Sequence, residues 1–99
     1  MSLTIDPNDL DEVVHGRVRL SIMAYLSAAG GSDFLAILQA TGTTKGNLSA
    51  HLGKLERAGY VSIEKGYAGK VPRTFVALTQ AGIDAFDGYL DRKIGRAHV

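Results

Sequence analysis

Residues 43–61 read TTKGNLSAHLGKLERAGYV. Leu48, Leu52 and Leu55 recur at the spacing of a helix that is buried along one side. Thr43 or Thr44 offers an N-terminal cap, and Ala58-Gly59 offers a stop. Yet the stretch carries two glycines, Gly46 and Gly53, and each weakens a helix interior by about 1 kcal/mol relative to alanine. On a wheel of about 100° per residue, Gly46, Ser49, Ala50 and Gly53 lie almost opposite the leucines. Lys45 and Lys54 flank them, and Arg57 follows one turn on. Lysine and glutamate would form a stronger helix on a face turned only to water. Such small residues suit a face that another rigid body must approach closely.

The chain on either side supplies a framework for that helix. DPNDLDEVVHG (6–16) opens on Asp6 as a cap and Pro7 at the first helical position, with Leu10, Val13 and Val14 as its apolar stripe. Its acidic residues suit the positive end of a helix dipole. RVRLSIMAYLSAAGG (17–31) places Val18, Ile22, Met23 and Leu26 on one face and ends at Gly30-Gly31. Ser32 is the expected cap of a short helix, DFLAILQATG, with Phe34, Leu35 and Leu38 turned inward and Gly42 as its break. After residue 59 the period changes to two. YVSIEK (60–65) and RTFVAL (73–78) read as strands joined by GYAGKVP, a hairpin with a long, flexible, basic tip in which Gly66 and Gly69 are expected at positive φ. A last helix, LTQAGIDAFDGYLDRKIG (78–95), starts on Thr79 and repeats Ile83, Phe86 and Leu90. The expected order is α-α-α-α-β-β-α, mainly α with a small antiparallel hairpin, without repeats or linkers.

Composition narrows the classes. The chain has 99 residues, 45% of them apolar and 21% charged, which is enough for one core without disulfides or metal. There is no cysteine, so disulfides, thiolate zinc sites and thiol nucleophiles are excluded. No apolar run approaches the roughly 20 residues needed to cross a bilayer, and no signal-peptide pattern opens the chain. A cytoplasmic location is expected. The formal net charge is only +1, but it is unevenly spread. Residues 1–14 hold four acids and no base, whereas residues 42–73 hold six bases against two acids. Such a chain presents a directional field to a polyanion, although scattered surface charge would read the same way.

The rigid body that fits the bare helix is the major groove of a duplex, which admits one helix. The short helix at 33–40, the break at Thr41-Gly42 and the helix at 44–57 have helix-turn-helix spacing, and the second helix of that motif reads base edges with its N-terminal residues. Thr43, Thr44, Lys45 and Asn47 stand at that end, where free N–H groups also suit a phosphate. Lys65, Lys70 and Arg73 follow on the hairpin, with no acid between Glu64 and Asp84. They suit the sugar-phosphate backbone or an adjacent minor groove.

GNLSAHLGKLERAGYVSIEKGYAGKVPRTFVALTQAGIDAF (46–86) resembles the winged-helix DNA-binding domain of prokaryotic transcriptional regulators of the MarR and ArsR types, and is nearer still to a compact group made of that domain alone. The NLSxHLxxLExAGYV and PRTxxxLTxxG patterns carry the resemblance. VHGRVRLSIMAYL (14–26) is similar to that group's H-P-x-R-L-x-I-L, with Gly16 in place of the proline. The resemblance implies one domain over residues 1–99, with a helix-turn-helix at about 32–57, a wing at about 60–78 and a C-terminal helix at about 79–94. It implies a sequence-specific regulator of double-stranded DNA, with Thr44, Lys45, Gly46, Ser49 and Ala50 facing the groove and Lys70 and Arg73 on the wing. Thr43, Asn47 and Lys54 complete the candidate contacts. For Asn47 a structural role and a DNA role stand equally open, as do a phosphate contact and a solvated position for Arg17 and Arg19. His51 borders the apolar stripe and reads as structural.

Two other classes fit these residues less well. A protein-interaction module would suit the small-residue face but would not require the basic wing. An enzyme finds no support, because His15, His51 and His98 lack metal-ligand spacing and a nucleophile partner, and GYAGK lies between strands and not before a helix. No cofactor or metal is expected. One helix-turn-helix reads few base pairs, so a homodimer is expected, built from Leu10 and Val13 with Ile83, Phe86, Tyr89 and Leu90. A small-molecule effector, if there is one, would sit at that interface.

Overall fold

The computed structural model describes residues 16–94. Its elements are α1 (Arg17–Ala29), β1 (Ser32–Asp33), α2 (Phe34–Thr41), α3 (Lys45–Arg57), β2 (Val61–Ala68), β3 (Val71–Leu78) and α4 (Gln80–Ile94). The helix expected to start at Asp6, and with it Leu10 and Val13, lies outside the described residues.

Each helix end follows from a local signal. At the end of α1, Gly30 takes φ 75° and its N–H donates to the Leu26 carbonyl at 2.9 Å, a left-handed stop that glycine reaches without a Cβ penalty. Gly42 ends α2 in the same way. α3 is capped by Thr44, whose Oγ1 accepts from the Asn47 N–H at 3.1 Å. It closes with Tyr60 N–H on the Leu55 carbonyl and Gly59 N–H on the Glu56 carbonyl, both at 2.9 Å, the paired bonds of a Schellman ending.

The start of α2 departs from the expectation. Asp33, and not Ser32, is the cap, with its Oδ1 accepting from the Ala36 N–H at 2.8 Å. Ser32 is a buried residue of β1. With that start, Ile37 is fully buried, Phe34 and Leu38 pack beside it, and Leu35 points outward at 60% exposure. Residues 34, 37, 38 and 41 share one helical face, and residue 35 is turned about 100° from residue 34.

The sheet has three antiparallel strands in the order β1-β3-β2. β1 was not expected. It pairs Ser32 with Val76 and Asp33 with Phe75, so the entry to α2 is tied to the hairpin. β2 and β3 pair over eight rungs, from Val61 with Leu78 to Ala68 with Val71. The long flexible tip is therefore corrected to a two-residue turn, Gly69-Lys70. Only Gly69 has positive φ, at 64°, in the manner of a II′ turn with glycine first. Gly66 is an ordinary strand residue opposite Arg73.

The core joins all four helices to the hairpin base through Ile22, Met23, Leu26, Ile37, Leu48, Leu52, Leu55, Tyr60, Val61, Val76, Phe86 and Tyr89. α4 enters it at a close junction. The Thr79 N–H donates to the Tyr60 carbonyl at 3.0 Å, and the Thr79 hydroxyl donates to the Gly59 carbonyl while accepting from the Gly82 N–H. Gly82 faces the Tyr60 backbone so closely that a Cβ there would overlap the carbonyl oxygen.

Candidate nucleic-acid interface

α3 is set by burial of Leu48, Leu52 and Leu55, which turns Gly46, Ser49 and Ala50 to the outside and leaves Gly53 half-buried. At Gly46 a Cβ would meet nothing within 4 Å, and at Gly53 it would meet only the Arg57 guanidinium, at 3.4 Å. The smooth side of the helix is thus open and not a packing surface. Lys45 and Lys54 are exposed at its borders. At the leading end Thr43 is half-buried and Asn47 is exposed. The Thr44 oxygen is occupied as the helix cap, so what it offers outward is its hydroxyl hydrogen and the uncapped N–H groups beside it.

This side of α3 adjoins the hairpin. An open groove of about 640 Å³ runs between Ser49, Leu52, Gly53 and Glu56 on the helix and Ile63, Lys65 and Thr74 on the strands. A second, of about 570 Å³, brings Lys45 toward Ala68, Val71 and Pro72. The front of the helix and the strand ends that flank the exposed Lys70 therefore share one side of the molecule.

Arg73 is placed differently from Lys70. Its guanidinium pairs with the Asp33 carboxylate at 2.5 Å, so its charge does have an acidic counterweight, supplied from forty residues upstream. The Ala36 N–H, and after it the Arg73 guanidinium, hold the Asp33 carboxyl below the usual carboxylate range. One carboxylate thus caps α2 and fastens it to β3. His51 lies on the other flank of α3, half-buried. Burial, followed by the charges of Arg19 and Lys54, pushes its pKa down, which fits the structural reading of this residue.

The residues expected to form a dimer divide. Ile83 is 41% exposed and Leu90 half-buried. Phe86 and Tyr89, at 7% and 6%, are already spent in the chain's own core, because α4 packs on more than the hairpin. Among the described residues no group of His, Asp or Glu is arranged to hold a metal, and no helix is long and apolar enough to cross a membrane.

The family model for the winged helix DNA-binding domain matches residues 18–92. The chain belongs to that family. In that fold the β2–β3 hairpin is the wing. Similar solved structures include a transcriptional regulator homologue from Pyrococcus horikoshii OT3, 32% identical, covering 85% of this chain and 83% of that one with a TM-score of 0.80. A regulator assigned to the MarR family from Enterococcus faecalis V583 is 26% identical, with coverage of 88% and 82% and a TM-score of 0.73. An uncharacterised protein of Methanocaldococcus jannaschii is 30% identical over 79 residues, or 80% of this chain and 86% of that protein. The winged-helix fold expected from the sequence is thus the fold found, with β1 as its added strand. Sequence reasoning passed over Tyr67, which stands 76% exposed on the wing. The signal was available, since Tyr67 follows Lys65 at the two-residue period of a strand.

Proposed function

We propose that this chain is a transcriptional regulator that binds double-stranded DNA in a sequence-dependent way. The recognition helix α3 lies in the major groove and the wing rests on the backbone or the neighbouring minor groove. The observation that carries this reading is the open, side-chain-poor face of α3, flanked by Lys45 and Lys54 and opening on the same side as the wing. Membership of a winged helix DNA-binding family supports it.

In this reading Thr43, Thr44, Lys45, Asn47 and Ser49 hydrogen-bond to bases or phosphates at the leading end of α3, and Gly46 and Ala50 allow the backbone to approach the groove floor. Lys54 and Lys70 neutralise phosphates. Arg73 sets the wing against α2 through Asp33 and reaches DNA only from that tether. The chain is one domain, acts in the cytoplasm, and pairs with a second copy through its terminal elements, to which Leu10, Val13, Ile83 and Leu90 belong. Two copies are needed to cover half-sites about one helical turn apart.

Selection of bound sequences from a random duplex pool, repeated at two ionic strengths, tests the reading. An enriched motif with two half-sites is the expected result, together with an affinity that falls steeply as salt rises because bound phosphates release counterions. An affinity indifferent to salt would sink it. Light scattering tests the pairing, which a species of 10.5 kDa at micromolar concentration would end.

A further inference from the structure

The wing has two faces, and its register tells them apart. On one face lie the rungs Val61–Leu78, Ile63–Val76, Lys65–Thr74 and Tyr67–Pro72, since alternate residues of a strand share a side. The first two rungs are core: Val61 and Val76 are buried, and Ile63 and Leu78 pack against them. The third rung lines the groove opposite Ser49 and Gly53. In the fourth, Pro72 lines the second groove with Lys45, and Tyr67 is exposed. The face that covers the core at the base of the wing therefore becomes, further out, the face turned toward the open side of α3.

Tyr67 is the outermost aromatic on that face. It is the most exposed of the large apolar side chains among the described residues, and its hydroxyl is without a hydrogen-bond partner there. Lys65 precedes it on the same face and Lys70 follows at the turn, both exposed and neither held in an ion pair among the described residues. Glu64 belongs to the opposite face, in the rung with Phe75, and reaches Lys65 and Tyr67 only at the strand edge, where the three line one shallow cavity. An aromatic ring with a polar tip, bracketed by two free cations, is complementary to a surface that alternates apolar rings with anions. The sugar-phosphate wall of a duplex is such a surface.

We propose that Tyr67 is an anchoring contact for DNA. Its ring packs on a deoxyribose beside the wing, its hydroxyl donates to the adjoining phosphate, and Lys65 neutralises the next phosphate toward α3. This rests on the reading of the chain as a DNA-binding protein and adds a contact that no base sequence controls. A tyrosine loses little freedom when it docks, because it has two side-chain torsions.

The test compares Tyr67→Ala, Tyr67→Phe, Lys65→Ala and Lys70→Ala with the full wild-type chain, using fluorescence anisotropy on the duplex enriched by wild-type selection and on a scrambled duplex, across a series of salt concentrations. Tyr67→Ala should weaken binding to both duplexes about tenfold, the scale of an aromatic contact to nucleic acid, without changing the salt slope. Tyr67→Phe should lose about threefold, the share of one hydrogen bond. Lys65→Ala should reduce the salt slope by about one. Urea midpoints of the Tyr67 variants should match wild type, because the side chain is exposed. If Tyr67→Ala binds both duplexes as wild type does while Lys65→Ala and Lys70→Ala weaken them, the anchoring role falls and DNA binding stands. If the wild-type chain itself shows no salt-dependent binding, both readings fall together.

Discussion

Gly82→Ala is the sharpest test of how α4 is seated. A Cβ at residue 82 would overlap the Tyr60 carbonyl oxygen and lie 2.9 Å from its carbon and 3.2 Å from its Cα, where carbon pairs prefer about 3.5–4.0 Å. The obstacle is backbone, so no rotamer change can relieve it. Either α4 lifts away, drawing Phe86 and Tyr89 from the core, or the β2 entry shifts and stretches the Thr79–Tyr60 hydrogen bond. Overpacking of this kind costs about 1–3 kcal/mol, and a weakened backbone bond adds about 1 kcal/mol. Against this stands the gain from replacing a helical glycine by alanine, at most about 1 kcal/mol and less at the third residue of the helix. The net expectation is a loss of about 2 kcal/mol, or about 8–16 °C in Tm for a domain of this size. Urea unfolding followed by far-ultraviolet circular dichroism should show a lower midpoint with an unchanged slope. A midpoint equal to or above that of wild type would refute the close seating of α4 on Tyr60.

Gly53→Ala makes the opposite case. Its Cβ meets only the flexible end of Arg57, so the unfolding free energy in urea should rise by up to about 1 kcal/mol while anisotropy shows weaker DNA binding. Stabilisation without loss of affinity would mean that the duplex does not approach that turn. For Asp33 the folded pKa is depressed, so its stabilising contribution is complete above the unfolded value of about 4 and disappears as pH falls through the folded value. The urea midpoint of Asp33→Asn should therefore be lower near neutrality and change less over that acid range. In DNA binding, Arg73→Ala should reduce the salt slope less than Lys70→Ala, because Asp33 already balances that charge. His51 also has a lowered folded pKa, so the folded state prefers the neutral ring. Wild-type stability should fall as pH drops below about 6.5 toward the folded value, and His51→Gln should flatten that limb. A resonance titration placing His51 above 6.5 in the free protein would contradict it.

Helices with a regular apolar stripe and a glycine stop were readable from the chain: Ile22, Met23 and Leu26 before Gly30, and Leu48, Leu52 and Leu55 before Gly59. Such signals are local, because they depend on residues three or four apart. The missed features depend on distant partners. β1 is two residues long, too short for any period, and exists because Val76 and Phe75 offer it an edge. Ser32 and Asp33 are both good caps by type, and Asp33 takes the role because it stands where the strand hands over to the helix, with Ser32 buried behind it. Arg73 looked free because its acid lies forty positions away. On the candidate interface, the glycines of α3 were legible because their cost has no local compensation. The burial of Phe86 and Tyr89 was not, since an apolar stripe does not say whether its own chain or another covers it.

The wing turns on two residues and is laddered along its whole length, which bears on the entropy of association. A loop that must order itself on contact gives up part of its binding energy to that ordering. Here the backbone of the projecting arm has already lost its freedom during folding. On meeting a partner, only the side chains at its surface remain to be fixed.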